Sequence, residues 1–300
     1  MKKGREEVTD QLVKATAFDG QIRVRAVDAS QVVASAQEKH DSWSASSAAL
    51  GRTLAGTLLL AADIKDDAKM TVQIAGNGPA GKIVVSADGQ GHVKGYIDQP
   101  HVSLDSNAQG KIDVRGAVGR EGTFSVIKDL GLKEPFQGQV PLVSGEIAED
   151  FTYYLTVSEQ VPSAVGLGVL VNPDESIACA GGWMIQVLPG CSEEVIDQLE
   201  ASIADMPQVT DLLSQGLTPE EMIYRLLGQD QVKILSQEEV SFKCDCSKER
   251  FAQGLAAIGS QELETIIEED GGAETVCHFC NKTYEFTADE LRAIAAQARA

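Results

Sequence analysis

The chain has 300 residues, of which 43% are hydrophobic and 23% charged; this suits about two domains with substantial cores and excludes global disorder. Its 45 acidic residues against 25 basic ones give a net charge of −20, a field that repels phosphate backbones and argues against a nucleic-acid partner. The longest apolar run, Leu58 to Ala62, is too short for a bilayer and Met1 to Glu7 lack an apolar h-region, so no membrane partner and a cytoplasmic location are expected.

In chain order, Ile22 to Ala26 alternates apolar and charged residues as a strand with one covered face does. Ser44 to Ile64 places Leu50, Leu54, Leu58 and Ala61 at helical spacing among small residues, which predicts a buried helix in close contact with its neighbours. Met70 to Ile74, Lys82 to Val85 and His92 to Ile97 then read as strands of a hairpin-connected sheet, followed by Gly122 to Ile127 and Phe151 to Val157. Ala164 to Val171 and Gly182 to Leu188 read as interior strands of the same domain. Together, residues 1–188 predict an N-terminal mixed α/β domain with an antiparallel sheet, within an α+β chain.

At Pro189-Gly190 the pattern changes to short helices, a helical linker over 189–241. One apolar stripe is Val195, Ile196, Leu199 and Ile203, and a second is Val209, Leu212 and Leu213. The third, Met222, Ile223, Leu226 and Leu227, follows Thr218-Pro219-Glu220-Glu221, a capping box with proline at the first helical position. Most such stripes are simply core. The charge is uneven: residues 181–300 hold 22 acidic and 8 basic side chains, net −14, so the last part of the chain has a different surface from the first. From Phe242, short helices are expected at Lys248 to Ile258 and Gln261 to Glu269, stopped by Gly271-Gly272, and a last helix starts at the box Thr287-Ala288-Asp289-Glu290.

Gly76-Asn77-Gly78-Pro79-Ala80-Gly81 matches GxGxxG, but a β-rich run follows it where a dinucleotide fold needs a helix, so it reads as a hairpin turn. The strongest motif is Cys244-Asp245-Cys246 with Cys277-His278-Phe279-Cys280, separated by 30 residues. Two close pairs of soft thiolates suit one tetrahedral Zn2+ per chain, and Cys277 to Phe286 reads as strand, turn, strand, a knuckle aiming two sulfurs at one point. Lys243, Lys248, Arg250 and Lys282 can offset the excess thiolate charge. The one-residue gap in CxC departs from an ordinary zinc ribbon and leaves two readings open, a structural metal or a thiol switch whose oxidation costs the site its ligands. His278 is surplus to a four-sulfur shell. Cys179 and Cys191 read as packed cysteines outside the cluster, and His40, His92 and His101 have no paired nucleophile. No nucleophile elbow supports a hydrolase.

These residues resemble the redox-regulated holdase chaperones of the 33 kDa chaperonin, or heat-shock protein 33, family. The likeness rests on Cys244-Asp245-Cys246, on Cys277 to Phe286, on Ser158 to Ser163 and on the stretch from Ala180 through Gly190, and it extends to the domain order. The resemblance implies no enzyme. It implies a small zinc-binding redox-switch domain over 242–300, with zinc on Cys244, Cys246, Cys277 and Cys280 keeping the chaperone silent when reduced. Oxidation would form Cys244–Cys246 and Cys277–Cys280, release zinc and expose surface for unfolding or misfolded clients without ATP, and oxidised chains can form homodimers. The stripes Val195, Ile196, Leu199, Ile203 and Met222, Ile223, Leu226, Leu227 would then contact clients or cover the client site. Two rival functions are a thiol oxidoreductase, which lacks a thioredoxin-like context, and a zinc-ribbon nucleic-acid binder, which the acidic tail opposes.

Overall fold

The computed structural model describes residues 9–65 and 68–298, so the expectation placed on Met1 to Glu7 lies outside them. Strands β1 (Gln11–Ala17) and β2 (Ile22–Asp28) lead into helices α1 (Ser30–His40) and α2 (Ser44–Ala61). A meander of β3 (Lys69–Gly76), β4 (Lys82–Asp88) and β5 (His92–Ile97) follows. Next come α3 (Val114–Val118), the hairpin β6 (Gly122–Asp129) and β7 (Phe136–Pro141), and α4 (Ala148–Val157). The hairpin β8 (Ser163–Val171) and β9 (Ile177–Val187) precedes helices α5 (Glu193–Ala204), α6 (Val209–Ser214) and α7 (Pro219–Leu227). Strands β10 (Val232–Glu239) and β11 (Ser241–Phe242) complete the larger unit. The rest is α8 (Lys248–Ala257), α9 (Ser260–Asp270), β12 (Gly272–Val276), β13 (Thr283–Thr287) and α10 (Ala288–Ala298). Contacts divide the chain between Lys243 and Cys244 into two compact units.

The single sheet expected from the sequence is two sheets. One has the order β10-β1-β2-β9-β8 and is antiparallel throughout. The other has the order β11-β5-β4-β3-β6-β7, antiparallel except for the short parallel pairing of β11 with β5. Helix α2 touches strands of both sheets. Every α2 residue other than Ser44 and Arg52 is buried, which its small side chains permit: a Cβ on Gly56 would lie 2.5 Å from the Phe151 ring. The buried hydroxyls of Thr53 and Thr57 donate to the carbonyls four residues back, at 2.9 and 2.7 Å, so neither hydroxyl is left unpaired.

The five-stranded sheet is apolar on both faces. Leu12, Val27, Ala180 and Met184 point into the core built around α2. The alternate positions Val13, Ala15, Ile22, Val24, Ala26, Trp183 and Ile185 form a separate core with residues of α5, α6 and α7. The capping box before α7 is present as expected, with Glu221 N donating to Thr218 Oγ1 at 3.2 Å and Thr218 N to Glu221 Oε2 at 2.8 Å. Gly76 to Gly81 is a hairpin turn between β3 and β4, as expected.

Four expectations need correction. Phe151 to Val157 is helix and not strand, although its aromatic and β-branched residues favour strands. Asp150 heads the helix: its carboxylate accepts from the backbone N–H groups of Val143, Ser144, Gly145 and Ile147 at 2.8 to 3.2 Å. Phe151, Tyr154 and Leu155 then fall on one buried face at helical spacing. Second, β8 is an edge strand whose only neighbouring strand in its sheet is β9, and α2, α4 and α6 pack against it. Third, residues 232–239, expected to belong to the helical linker, form a strand that pairs with β1. Fourth, β1, α1, α3 and β7 have no counterpart in the expectations.

Asp150 is fully buried and holds four donors at once. Asp150→Ala is expected to cost roughly 3 kcal/mol in chemical denaturation, since several buried N–H groups lose their only acceptor. Asp10, also buried, accepts from Gln31 N at 3.0 Å and Val32 N at 2.7 Å in the first turn of α1. Burial pushes its carboxyl up to about 7 against the opposing pull of those two donors. Its folded pKa lies above the unfolded value of about 4, so the stability it contributes is full below about pH 4 and is lost as the pH rises through 7. The difference in melting temperature between the protein and its Asp10→Asn variant is expected to shift against the parent between pH 4 and 7.

Candidate metal centre

Two segments of the smaller unit deliver the cysteines. Cys244 and Cys246 lie on the extended stretch before α8, whose start is capped by Ser247 accepting from Arg250 N at 3.3 Å. Cys277 and Cys280 lie in the turn between β12 and β13. That turn is closed by Cys277 N donating to Lys282 O at 3.0 Å, and by Cys280 N and Asn281 N donating to Cys277 O at 3.2 and 2.7 Å. Asn281 takes the left-handed conformation, φ 55°, that lets the chain reverse there. The strand-turn-strand knuckle expected from the sequence is therefore present.

The four sulfurs converge, all within 4.8 Å of one another. Cys244 Sγ is 3.7 Å from Cys277 Sγ, and Cys246 Sγ is 3.5 Å from Cys280 Sγ. A tetrahedral zinc with Zn–S bonds of about 2.3 Å separates its ligands by about 3.8 Å, so the donor set and its spacing fit that ion. Among the described residues this is the one cluster of three or more metal-ligating side chains, and His278 is not part of it.

Tyr284 adds a contact that the sequence alone did not single out. Its hydroxyl lies 3.0 Å from Cys246 O and 3.2 Å from Cys246 Sγ. The ring sits 5.1 Å from that of Phe251 and belongs to the unit's small core with Leu263, Phe286, Leu291, Ile294 and Ala295. Alternation along β13 puts Tyr284 and Phe286 on one buried face, but the sequence does not show that the hydroxyl's partner comes from 38 residues away. Burial opposes ionisation of Cys246, yet donation from Tyr284 and the neighbouring thiols brings it down to about 7. Burial pushes Cys244 and Cys280 upward.

The expected basic residues are already engaged. Lys248 pairs with Glu290 at 2.6 Å and lies over Phe286, Arg250 pairs with Asp245 at 2.7 Å, and Lys282 lies over Tyr284. Lys243 belongs to the larger unit, 3.3 Å from His92 Nε2. Cys179 is buried with its thiol 3.6 Å from Thr210 O, and burial pushes it up to about 11, away from the thiolate form that reacts. Cys191 Sγ lies 3.7 Å from Ser192 O. The CxxC pair sits in a hairpin turn and not at a helix N-terminus, where a reactive dithiol is activated. Of the proposed client or covering residues, Val195, Leu199, Met222, Ile223, Leu226 and Leu227 are buried against the five-stranded sheet, Ile203 is packed partly against it, and Ile196 is half-buried.

Fold and site define a class: a two-sheet α+β unit with a helix-covered sheet face, followed by a small unit built on a four-cysteine cluster that could hold a metal ion. The family model described as "Hsp33 protein" matches residues 10–287. The 33 kDa chaperonin of Enterococcus faecalis is 60% identical over 282 residues, covering 94% of this chain and 95% of that one. That of Latilactobacillus sakei is 58% identical over 289 residues, covering 96% and 99%. The crystal structure of the 33 kDa chaperonin (heat shock protein 33 homolog) from Thermotoga maritima superimposes with a TM-score of 0.90 at 36% identity, over 96% of this chain and 98% of that one. The chain belongs to the Hsp33 family, a family of chaperones and not of enzymes.

Zinc analysis of purified reduced protein tests these assignments. One equivalent of zinc is the expected content of the parent; Cys179→Ser and Cys191→Ser are expected to keep it and Cys246→Ser to lose most of it, because three thiolates leave the shell open.

Proposed function

We infer that the chain is a cytoplasmic, redox-regulated holdase that works without ATP, inactive while reduced and zinc-bound and active once its four cysteines are oxidised. The convergence of Cys244, Cys246, Cys277 and Cys280 carries this reading. Zinc, when bound there, neutralises thiolate charge and ties the CxC stretch to the knuckle. The smaller unit has fewer than sixty residues and α8 contributes none that is fully buried, so its small core leans heavily on that tie.

Each disulfide formed takes two electrons from a pair of metal-bound thiolates. With hypochlorous acid as oxidant, the electrons reduce it to chloride and hydroxide. Closing Cys244–Cys246 and Cys277–Cys280, as the family resemblance implies, uses two equivalents per chain and leaves no thiolate to hold a metal. The smaller unit then loses its cross-link and unfolds. In this reading residues 1–188, with β10 completing their five-stranded sheet, are the client-binding body, 189–227 the cover and 242–300 the sensor.

The covering helices α5 to α7 support the second half of the reading. Their outer faces are acidic and their inner faces mask Val13, Val24, Trp183 and Ile185 on the sheet. Lifting them exposes two apolar surfaces at once, the stripes and the sheet face, to unfolding clients. Such surface also favours pairing of two oxidised chains. Neither nucleic acid nor membrane is a partner in this reading.

Hypochlorous acid is added to reduced, zinc-loaded protein while a metal-binding dye follows zinc and light scattering follows an unfolding client. Zinc release and suppression of aggregation are expected to rise together. Zinc release without protection of the client would make the metal purely structural and overturn the reading.

A further inference from the structure

Burial alone does not protect the sulfur cluster from oxidants. Cys277 is buried, but Cys244, Cys246 and Cys280 are only half-buried. How fast a thiolate is oxidised depends on access and on how readily the sulfur gives up an electron pair. At Cys246 a hydrogen bond acts on the second of these, and its donor is Tyr284.

Tyr284 stands on β13, opposite Thr275 of β12, so the hairpin that carries Cys277 and Cys280 in its turn also carries this hydroxyl. It reaches across to the CxC stretch, 3.0 Å from Cys246 O and 3.2 Å from Cys246 Sγ. The ring is held in place: it is buried against Phe251 at 5.1 Å, and Lys282 Nζ lies 5.1 Å from its centroid. A cation over a phenol ring draws on its electron density, which strengthens the O–H as a donor. One proton serves two acceptors. A metal-bound cysteine sulfur carries thiolate charge and the carbonyl oxygen does not, so the charge-assisted bond to sulfur is the stronger of the two.

We propose that Tyr284 is a positioning residue of the thiol switch, its hydroxyl holding Cys246 in the cluster and slowing oxidation of that sulfur. The proposal rests on the redox reading given above and deepens it. With hydrogen peroxide as oxidant, a lone pair of Cys246 Sγ forms the S–O bond, the O–O bond breaks and hydroxide leaves, which gives the sulfenic acid. The Cys244 thiolate then displaces a second hydroxide and closes the disulfide. Donation from Tyr284 stabilises the lone pair that the first step consumes, and the hydrogen bond has to weaken before the S–O bond forms. The same hydroxyl makes a link between the CxC stretch and the knuckle hairpin that needs no metal.

Reduced full-length protein is compared with Tyr284→Phe, which keeps the ring and removes only the O–H. Loaded with Co2+, both are expected to show the ligand-field bands of a four-sulfur tetrahedron. The sulfur-to-cobalt charge-transfer band is expected at lower energy in the variant, whose Cys246 sulfur has lost its donor. Loaded with zinc, the variant is expected to release it about fivefold faster in excess hydrogen peroxide, but within about twofold of the parent's rate to an excess of chelator. Biosynthetic 3-fluorotyrosine, a stronger donor, keeps the test open should the Phe variant not fold, because the other four tyrosines all lie in the larger unit. It is expected to move the band to higher energy. An unmoved charge-transfer band, an unchanged rate in peroxide, or chelator release accelerated as much as peroxide release overturns the proposal. A parent without four-sulfur bands, or one that keeps its zinc in hypochlorous acid, overturns the redox reading itself.

Discussion

A sheet with apolar residues on both faces has to be covered twice, and much of this structure follows from that constraint. On one side of the five-stranded sheet the cover is α2, a helix so rich in Ala, Gly, Ser and Thr that it packs between two sheets with almost no exposed surface. On the other side the cover is α5 to α7, amphipathic helices with charged outer faces. The two cores differ in kind. The first is closed on all sides by sheet and helix, whereas the second has a lid of short helices joined by turns. Apolar burial stabilises both at roughly 25 cal/mol per Å², but the second alone can open without dismantling the sheets.

The chain path links that lid to the cysteine cluster. After α7, β10 pairs with β1 at the edge of one sheet, β11 pairs with β5 at the edge of the other, and Cys244 follows two residues later. The β11 pairing spans only two residues. A segment held by so short a ladder resists little when the stretch beyond it changes state. The sulfur cluster has a similar economy, since four side chains and one tyrosine hydroxyl organise a unit whose fully buried apolar residues are few.

Chemistry was more legible in the sequence than topology. The spacing of Cys244, Cys246, Cys277 and Cys280 pointed to a cluster of four sulfurs able to hold a metal ion because thiolate softness and loop geometry are local properties. The capping boxes at Thr218 and Thr287 were readable for the same reason, and both form. What could not be read is set by distant partners. Phe151 to Val157 has strand composition, and only the four loop N–H groups converging on Asp150 make it a helix. Residues 232–239 looked like the end of a linker, and only β1, more than two hundred residues away in sequence, makes them a strand. Tyr284 and Asp10 act through partners that are likewise remote in sequence.

The two tryptophans occupy contrasting environments. Trp43 is 42% exposed, beside the His101 ring at 5.3 Å. Trp183 is 7% exposed, lies against the backbone of Gly166 and belongs to the core under α5 to α7. Any lifting of those helices brings water to the second indole and leaves the first as it was. The native protein therefore contains both an optical reporter of its lid and an internal reference, so intrinsic fluorescence can time the opening of the cover without a label.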